Sequence, residues 1–385
     1  MNHVAMVIPG IDRIAGAERQ MIQLAHGLRG RGWRVSVVAL SGTGGSEAAE
    51  LTERGVEFLS LGMRKGLADP RGWIRFHRWL RGQRPDVVHA HLPHAAWMAR
   101  WSRLGAPMRG LVDTLHSSST GTLGRRLGYR WSNWLPDKVT AVSHAVAEAH
   151  LLTRMTTAEK LAVVANGVDV GRWRPDSQVR ATVRRELGLE DEFLWLAAGR
   201  LDPVKDYPTL LWAMVNVPET ARLIIAGGGQ LEGELRRLSG ELGVESRVRF
   251  LGFTPDVCRL MQAADAFVLC SRWEGLPMAL LEAAACGLPA VATDVPGTRE
   301  AVADGETGFL AAAGSAEALQ GEMSRMMRLA PEERRDLGER AREMVVVRFS
   351  LDKVLDRLEG FYGDLLRQHP ISTRWARGDR CDETP

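Results

Sequence analysis

Several familiar patterns are missing from this chain of 385 residues. No apolar run approaches the ~20 residues needed to span a bilayer, which excludes an ordinary membrane-crossing helix. The four cysteines, Cys258, Cys270, Cys286 and Cys381, show no C-x-x-C spacing, so neither a thiolate zinc cage nor a redox dithiol motif is present. The first three lie in apolar contexts and are expected as reduced, packed thiols, which fits a cytoplasmic protein. The opening MNHVAMVIPG lacks a basic leader, an apolar core and a small-residue cleavage site, so it is read as a first strand and not as a signal peptide. There is no low-complexity tract. No D-x-D occurs either, the simplest acidic pair for holding a divalent metal against a diphosphate.

What is present is an ordinary globular composition, 45% hydrophobic and 25% charged. The length exceeds what one core usually holds and points to two domains. Charge is uneven: residues 1–170 carry 22 Lys+Arg against 13 Asp+Glu, a net of +9, and the remainder 28 against 34, a net of −6. The first half is therefore read as meeting something anionic, a membrane surface, a phosphate-bearing substrate or nucleic acid, set against plain uneven solvation of two surfaces. No nucleic-acid motif accompanies that charge, and nucleic acid is not expected as a partner.

Short apolar runs alternate with helical patterns: VAMVI, VSVVAL, DVVHAH, GLVDTL, KVTAVS and LAVVAN in one half, then FLWLAAG, ARLIIAGGG, RVRFLGF, AFVLCS and PAVATD in the other. This rhythm predicts an α/β fold of two doubly wound parallel-sheet domains, with NGVDVGRWRPDSQ as the linker and a cleft between the domains as the ligand site. The domains are placed at 1–172 and 173–350. An amphipathic helix over 351–368 is expected to return to the first domain, and the polar tail 369–385 is expected to be mobile.

In open α/β sheets the residues following each strand carry the chemistry. The first strand-to-helix turn places Gly16 at a helix start, an anion site or a plain tight turn, without the G-x-G-x-x-G spacing of dinucleotide folds. His89 and His91 share one strand face, a geometry open to metal, although no third ligand is evident and a structural or substrate-contacting role is favoured. His116 ends a strand and opens the polar loop SSSTG. Arg200 and Lys205 follow a strand, five residues apart, a pair that suits a diphosphate, set against a solvated loop with surface salt bridges. In SRWEGLPMALLE, Pro277 opens a helix expected to run to Cys286. Backbone N–H groups from Gly275 through Leu276 to Ala279 then face an anion, Glu274 can accept hydrogen bonds from hydroxyls, and Glu282 stands among apolar residues where an unpaired charge would be costly.

Over residues 4–365 the ordered motifs AGAERQ, RPDVVHAH, TLHSS, TAVSHAV, VANGVD, GRLDPVKDY, IIAGGG, VRFLGF and SRWEGLPMALLEAAACGLPAVATDVPGTREAV resemble the retaining glycosyltransferases of the GT-B fold, specifically family four. The resemblance implies two Rossmann-like domains and a nucleotide-sugar donor held mainly by the second. It implies Arg200 and Lys205 on the diphosphate, with Gly16 closing on it from the other domain, and Glu274 on the sugar, with Glu282 on the ribose. Gly275, Leu276 and Pro277 would meet sugar and phosphate, Phe253 and Val257 the base, and His116 the transferred sugar. Catalytic roles fall to His116, Glu274, Arg200 and Lys205, with no nucleophile and no metal or other cofactor. Ala15 stands where the family usually has a second glycine.

A UDP-linked donor is the first reading and GDP-mannose the second, with a lipid-linked or polysaccharide acceptor in cell-surface glycan synthesis. A nucleotide-sugar hydrolase or epimerase of the same fold and a catalytically silent scaffold are the competing classes. For the acceptor or an anionic membrane surface, the stretch MRKGLADPRGWIRFHRWLRGQRP offers Arg71, Arg75, Arg78 and Trp79 on a basic amphipathic helix, set against a plain core helix; GRRLGYRWSNWLP is a second candidate surface. The protein is then expected in the cytoplasm, peripheral to the inner face of the membrane.

Overall fold

The structure, a computed structural model, describes residues 1–12, 15–64, 69–106 and 108–369. The polar tail from 370 onward, Cys381 included, and residues 65–68 of the basic stretch lie outside the described residues. The chain divides into two compact units, Met1–Val142 with Val146–Val164 and Val354–Pro385, and Ser143–Ala145 with Ala165–Lys353.

In chain order the first sheet and its helices are β1 (His3–Ile8), α1 (Gly16–Gly30), β2 (Arg34–Ala39), α2 (Gly45–Glu53), β3 (Glu57–Ser60), α3 (Pro70–Gln83), β4 (Val87–His91), α4 (Pro93–Ser102), β5 (Gly110–Leu115), α5 (Leu123–Trp131), β6 (Lys138–Ala141), α6 (His144–Leu152) and β7 (Leu161–Val163). The second set is α7 (Ser177–Leu187), β8 (Phe193–Ala198), α8 (Tyr207–Val215), β9 (Ala221–Ala226), α9 (Glu232–Glu241), β10 (Val248–Gly252), α10 (Val257–Ala263), β11 (Ala266–Leu269), α11 (Met278–Ala285), β12 (Ala290–Thr293), α12 (Pro296–Arg299), β13 (Gly308–Ala311), α13 (Ala316–Arg328), α14 (Pro331–Phe349) and α15 (Leu351–Gln368).

Both sheets are doubly wound, with all named strand pairs parallel. The first runs β3-β2-β1-β4-β5-β6-β7 and the second β10-β9-β8-β11-β12-β13. Strands covered by helices on both faces need apolar side chains on both, which is why β8 and, after His3, β1 read as unbroken apolar runs and are buried along their whole length. Strand order reverses between β1 and β4 in the first sheet and between β8 and β11 in the second. At such a switch point neighbouring crossovers diverge to opposite faces and leave a crevice at the carboxyl edge.

The last helix completes the first unit's core. Val354, Leu355, Leu358, Tyr362, Leu365 and Leu366 of α15 are buried. Its polar side reaches Trp33, whose Nε1–H donates to Glu359 at 2.7 Å, and Arg31, which pairs with Asp356 at 2.7 Å and Glu359 at 2.8 Å.

Candidate active site

At the switch point of the second sheet the sequence-predicted cations and acids converge. β8 ends at Ala198, and Arg200 follows with its side chain 70% exposed, 3.1 Å from Asp202. A single 3-10 turn, Pro203–Lys205, comes next; the Asp202 carboxylate accepts from the Lys205 N–H at 3.3 Å and fixes it. That turn sends Lys205 Nζ to Glu274 Oε1, 2.6 Å away across the loop that follows β11. Ser271 Oγ donates to the same carboxylate oxygen at 2.6 Å, and the Ser271 carbonyl accepts from Thr293 Oγ1 at 2.6 Å. Backbone contacts tie the two loops together: Arg272 N–H donates to the Val204 carbonyl at 2.8 Å, and the Cys270 thiol to the Lys205 carbonyl at 2.9 Å. Lys205 and Glu274 are both largely buried, so their attraction is weakly screened.

Pro277 caps α11, whose first-turn N–H groups lack intrahelical acceptors and carry the positive end of the helix dipole. Gly275 and Leu276 lie on the approach. Beneath them sits Gly297, where a Cβ would stand 2.6 Å from the carbonyl oxygens of both Glu274 and Gly275, so only glycine lets the VPGTR turn support that backbone. Glu282 is buried within α11 among Leu280, Leu281, Ala283, Ala284 and Ala285. Val257 opens α10, and its neighbour Cys258 hydrogen-bonds to Cys286 just past α11, where the charge of Glu282 acts on both thiols. That bond and burial push the Cys286 thiol up, while the same bond holds Cys258 below its ordinary value. The free thiols are thus packed against the helix that carries Glu282. Phe253 stands apart, 81% exposed on the loop after β10.

In the first unit the histidines form one cluster. His89 Nδ1 meets the Tyr362 hydroxyl and His89 Nε2 the Thr114 hydroxyl, both at 2.5 Å. Both ring nitrogens of His89 are therefore occupied, and the metal geometry open to it in the sequence is closed by Tyr362, a residue of α15. Among the described residues no group of three or more His, Cys, Asp or Glu side chains is placed to hold a metal ion. His91 lies against His89 with ring centroids 4.3 Å apart, and its Nδ1 is 3.1 Å from His116 Nε2. Among the described residues His91 Nε2 has no hydrogen-bond partner. A buried orphan N–H is rarer than a bare acceptor, so the network assigns the His91 proton to Nδ1, donating to His116 Nε2, and leaves His116 with its own proton on Nδ1. Burial holds all three rings neutral: His89 falls to about 3, His116 to about 4, and His91 well below the ordinary imidazole value.

Gly16 opens α1, where Glu18 reaches back to the Ala15 N–H at 3.1 Å; its chain neighbours and own helix backbone aside, a Cβ on Gly16 would meet no atom of the described residues within 4 Å. Packing among the described residues therefore does not require glycine there. Arg71, Arg75 and Arg78 are exposed, but Gly72, Phe76 and Leu80 are buried, and Trp79 turns inward, stacked on Phe76 and edge-on to His3. Phe76 and Leu80 on the inner side of α3 are core, Trp79 is half-buried, and Ile74 remains 59% exposed.

Three contributors went unassigned in the sequence. Ser271 and Gly297 lie after β11 and β12, and the P-G dipeptide after a strand end is the signal that marks Gly297. His91 was seen only as a neighbour of His89; its link to His116 depends on β4 and β5 pairing with His91 beside Thr114.

Comparison with known proteins gives a consistent picture. Residues 14–172 match the family model Glycosyltransferase Family 4, and residues 179–344 match Glycosyl transferases group 1. N-acetyl-alpha-D-glucosaminyl L-malate synthase of Bacillus anthracis is 30% identical over 298 residues, 73% of this chain and 75% of that protein. UDP-Gal:alpha-D-GlcNAc-diphosphoundecaprenol alpha-1,3-galactosyltransferase of Escherichia coli is 24% identical over 315 residues, 78% of this chain and 81% of that one. Among solved structures, Anabaena HepE in complex with UDP and glucose superimposes with a TM-score of 0.84 at 23% identity, covering 94% of this chain and 99% of its own.

Proposed function

The chain belongs to the group 1 glycosyltransferases and has their GT-B fold, and from that premise we propose a retaining transfer of a sugar from a UDP-linked donor to a lipid-linked or glycan acceptor. The observation that carries the reading is the convergence of Arg200, Lys205, Glu274 and the start of α11 on the switch point of the second sheet. Arg200 and Lys205 bind the diphosphate together with the α11 N–H groups, and Glu274 takes sugar hydroxyls. Glu282 and Val257 are assigned to the nucleoside, and His116 offers a neutral Nδ1–H to the sugar.

In the transfer step the bond from the anomeric carbon to the diphosphate oxygen breaks and the acceptor hydroxyl oxygen bonds to the same carbon from the same face. The hydroxyl proton passes to the departing phosphate oxygen. The chain supplies charge stabilisation and positioning, each worth several kcal/mol in comparable sites. The choice of a UDP donor draws on the galactosyltransferase named above and on the HepE complex. A lipid-linked acceptor draws on the first of these.

Thermal-shift measurements against UDP-, GDP- and ADP-sugars test the donor: a UDP-sugar is expected to stabilise the chain most, and stabilisation by none of them would sink the reading. Turnover is expected to persist in excess EDTA, since the cations named above neutralise the leaving group; activity lost to EDTA and restored by a divalent ion would assign a metal to the reaction.

A further inference from the structure

The exposed face of α5 is the most unusual surface on the first unit. Leu123, Leu127 and Trp131 recur every four residues, drifting only ~40° per step around the helix, and Trp134 follows in the next turn. All four are exposed, Trp131 by 77% and Trp134 by 65%. The opposite side of the helix is core: Tyr129 is buried, and Trp97 of α4 occupies the space beside Gly128. Arg126 and Arg130 flank one edge of the apolar stripe. Neither has a carboxylate partner among the described residues.

The surrounding sequence has one sign of charge. Between Asp86 and Asp137 the chain carries six arginines (100, 103, 109, 125, 126 and 130) and a single acid, Asp113; Arg100, Arg103 and Arg109 pair with Asp113, Asp137 and Asp86, which leaves Arg125, Arg126 and Arg130 of α5 with no carboxylate partner among the described residues. A second copy of this chain would oppose like charges here. Tryptophan, with an apolar body and a polar edge, suits the boundary between lipid headgroups and acyl chains, and arginine suits anionic headgroups. Among the described residues no helix is long and apolar enough to cross a membrane.

We infer that α5 is a membrane-docking helix: Leu123, Leu127, Trp131 and Trp134 enter the interface of an anionic bilayer while Arg126 and Arg130 bind its headgroups. The inference deepens the lipid-linked acceptor reading, because only the loop 117–122 separates α5 from His116, so docking brings the end of β5 to the bilayer where such an acceptor resides.

Co-sedimentation of the full chain with vesicles tests it, using phosphatidylcholine alone and phosphatidylcholine mixed with phosphatidylglycerol. Binding is expected to the mixed vesicles only and to weaken as salt is raised. The double variant Leu127→Ser/Trp131→Ser should lower partitioning by about tenfold or more, and Arg126→Gln/Arg130→Gln should remove the preference for anionic lipid. Arg75→Gln/Arg78→Gln on α3 should bind as the parent does. Failure to bind mixed vesicles, equal binding to both, or binding indifferent to the α5 changes would overturn the inference. Stabilisation by nucleotide sugar, measured on each variant, should stay at the parental value; its absence in the parent as well would tell against the donor reading and leave the docking result standing.

Discussion

Lys205 and Glu274 answer each other before any donor arrives. An ammonium and a carboxylate 2.6 Å apart, both mostly withdrawn from water, leave no uncompensated charge at the switch point. Lys205→Ala should therefore do two things: leave Glu274 short of its partner, and remove a cation from the leaving group. We expect a loss of kcat/KM of roughly 100-fold or more and weaker stabilisation by the donor; parental kinetics would remove Lys205 from the mechanism. The three histidines set a pH signature. His89 and His116 titrate at about 3 and about 4 in the fold, against about 6.5 in the unfolded chain, so between those limits the unfolded state binds protons that the folded rings refuse. The stability they contribute is complete above about pH 6.5 and declines as pH falls toward 4, by about 1.4 kcal/mol per pH unit for each ring. Melting curves between about pH 7 and pH 5 should show it, and a His116→Gln variant should show a shallower slope; identical slopes would exclude His116 from the effect. Much of this residue-level picture could be read from one dimension. Glu274, Arg200 and Lys205 sit just after strands, where ligands gather. The His91–His116 hydrogen bond could not, because it is made between neighbouring strands and depends on their register.

Among the elements, strands were the most legible, since a parallel sheet covered on both faces demands unbroken apolar runs such as FLWLAA and VAMVI. The amphipathic helices were the least. α3 and α5 both mix arginine with tryptophan and leucine, and composition does not say which face meets the sheet. In α3 Phe76 and Leu80 turn inward while Ile74 stays exposed; in α5 only Tyr129 turns inward, and the stripe of Leu123, Leu127 and Trp131 faces water. What sets the orientation of α5 is visible only in three dimensions. Arg100 of α4, fully buried, pairs with Asp113 of β5, donates to the Tyr129 carbonyl at 3.1 Å and the Ser132 hydroxyl at 2.8 Å, and lies over the Tyr129 ring. Arg100→Ala should cost about 3–5 kcal/mol, because it strands a buried carboxylate and releases the inner face of α5. Arg100→Met combined with Asp113→Leu should recover most of that in chemical denaturation; if the single change proves as mild as the double, the pair does not anchor the helix.

For the molecule as a whole, the first unit is built from both ends of the described chain. Beyond its buried leucines, α15 carries Tyr362 to His89 and supplies the Leu366 carbonyl to Arg109 at 3.0 Å, joined by the carbonyl of His369 just past its end at 2.7 Å. Deleting residues 354–369 should unfold the first unit and spare the second, seen in calorimetry as the loss of one transition; survival of both at parental temperatures would refute it. A consequence concerns the order of events during synthesis. The chain leaves the ribosome amino end first, so β1 to β7 emerge long before the helix that closes their core, whereas nearly everything the second unit needs lies between 165 and 353. The half made later is then the half that can finish folding first, and the earlier half must wait, with Trp33, His89 and Arg109 uncovered, until the last turns of α15 are released. For this protein, nascent-chain protection from aggregation is needed most at its beginning, and for the whole time it takes to make the rest.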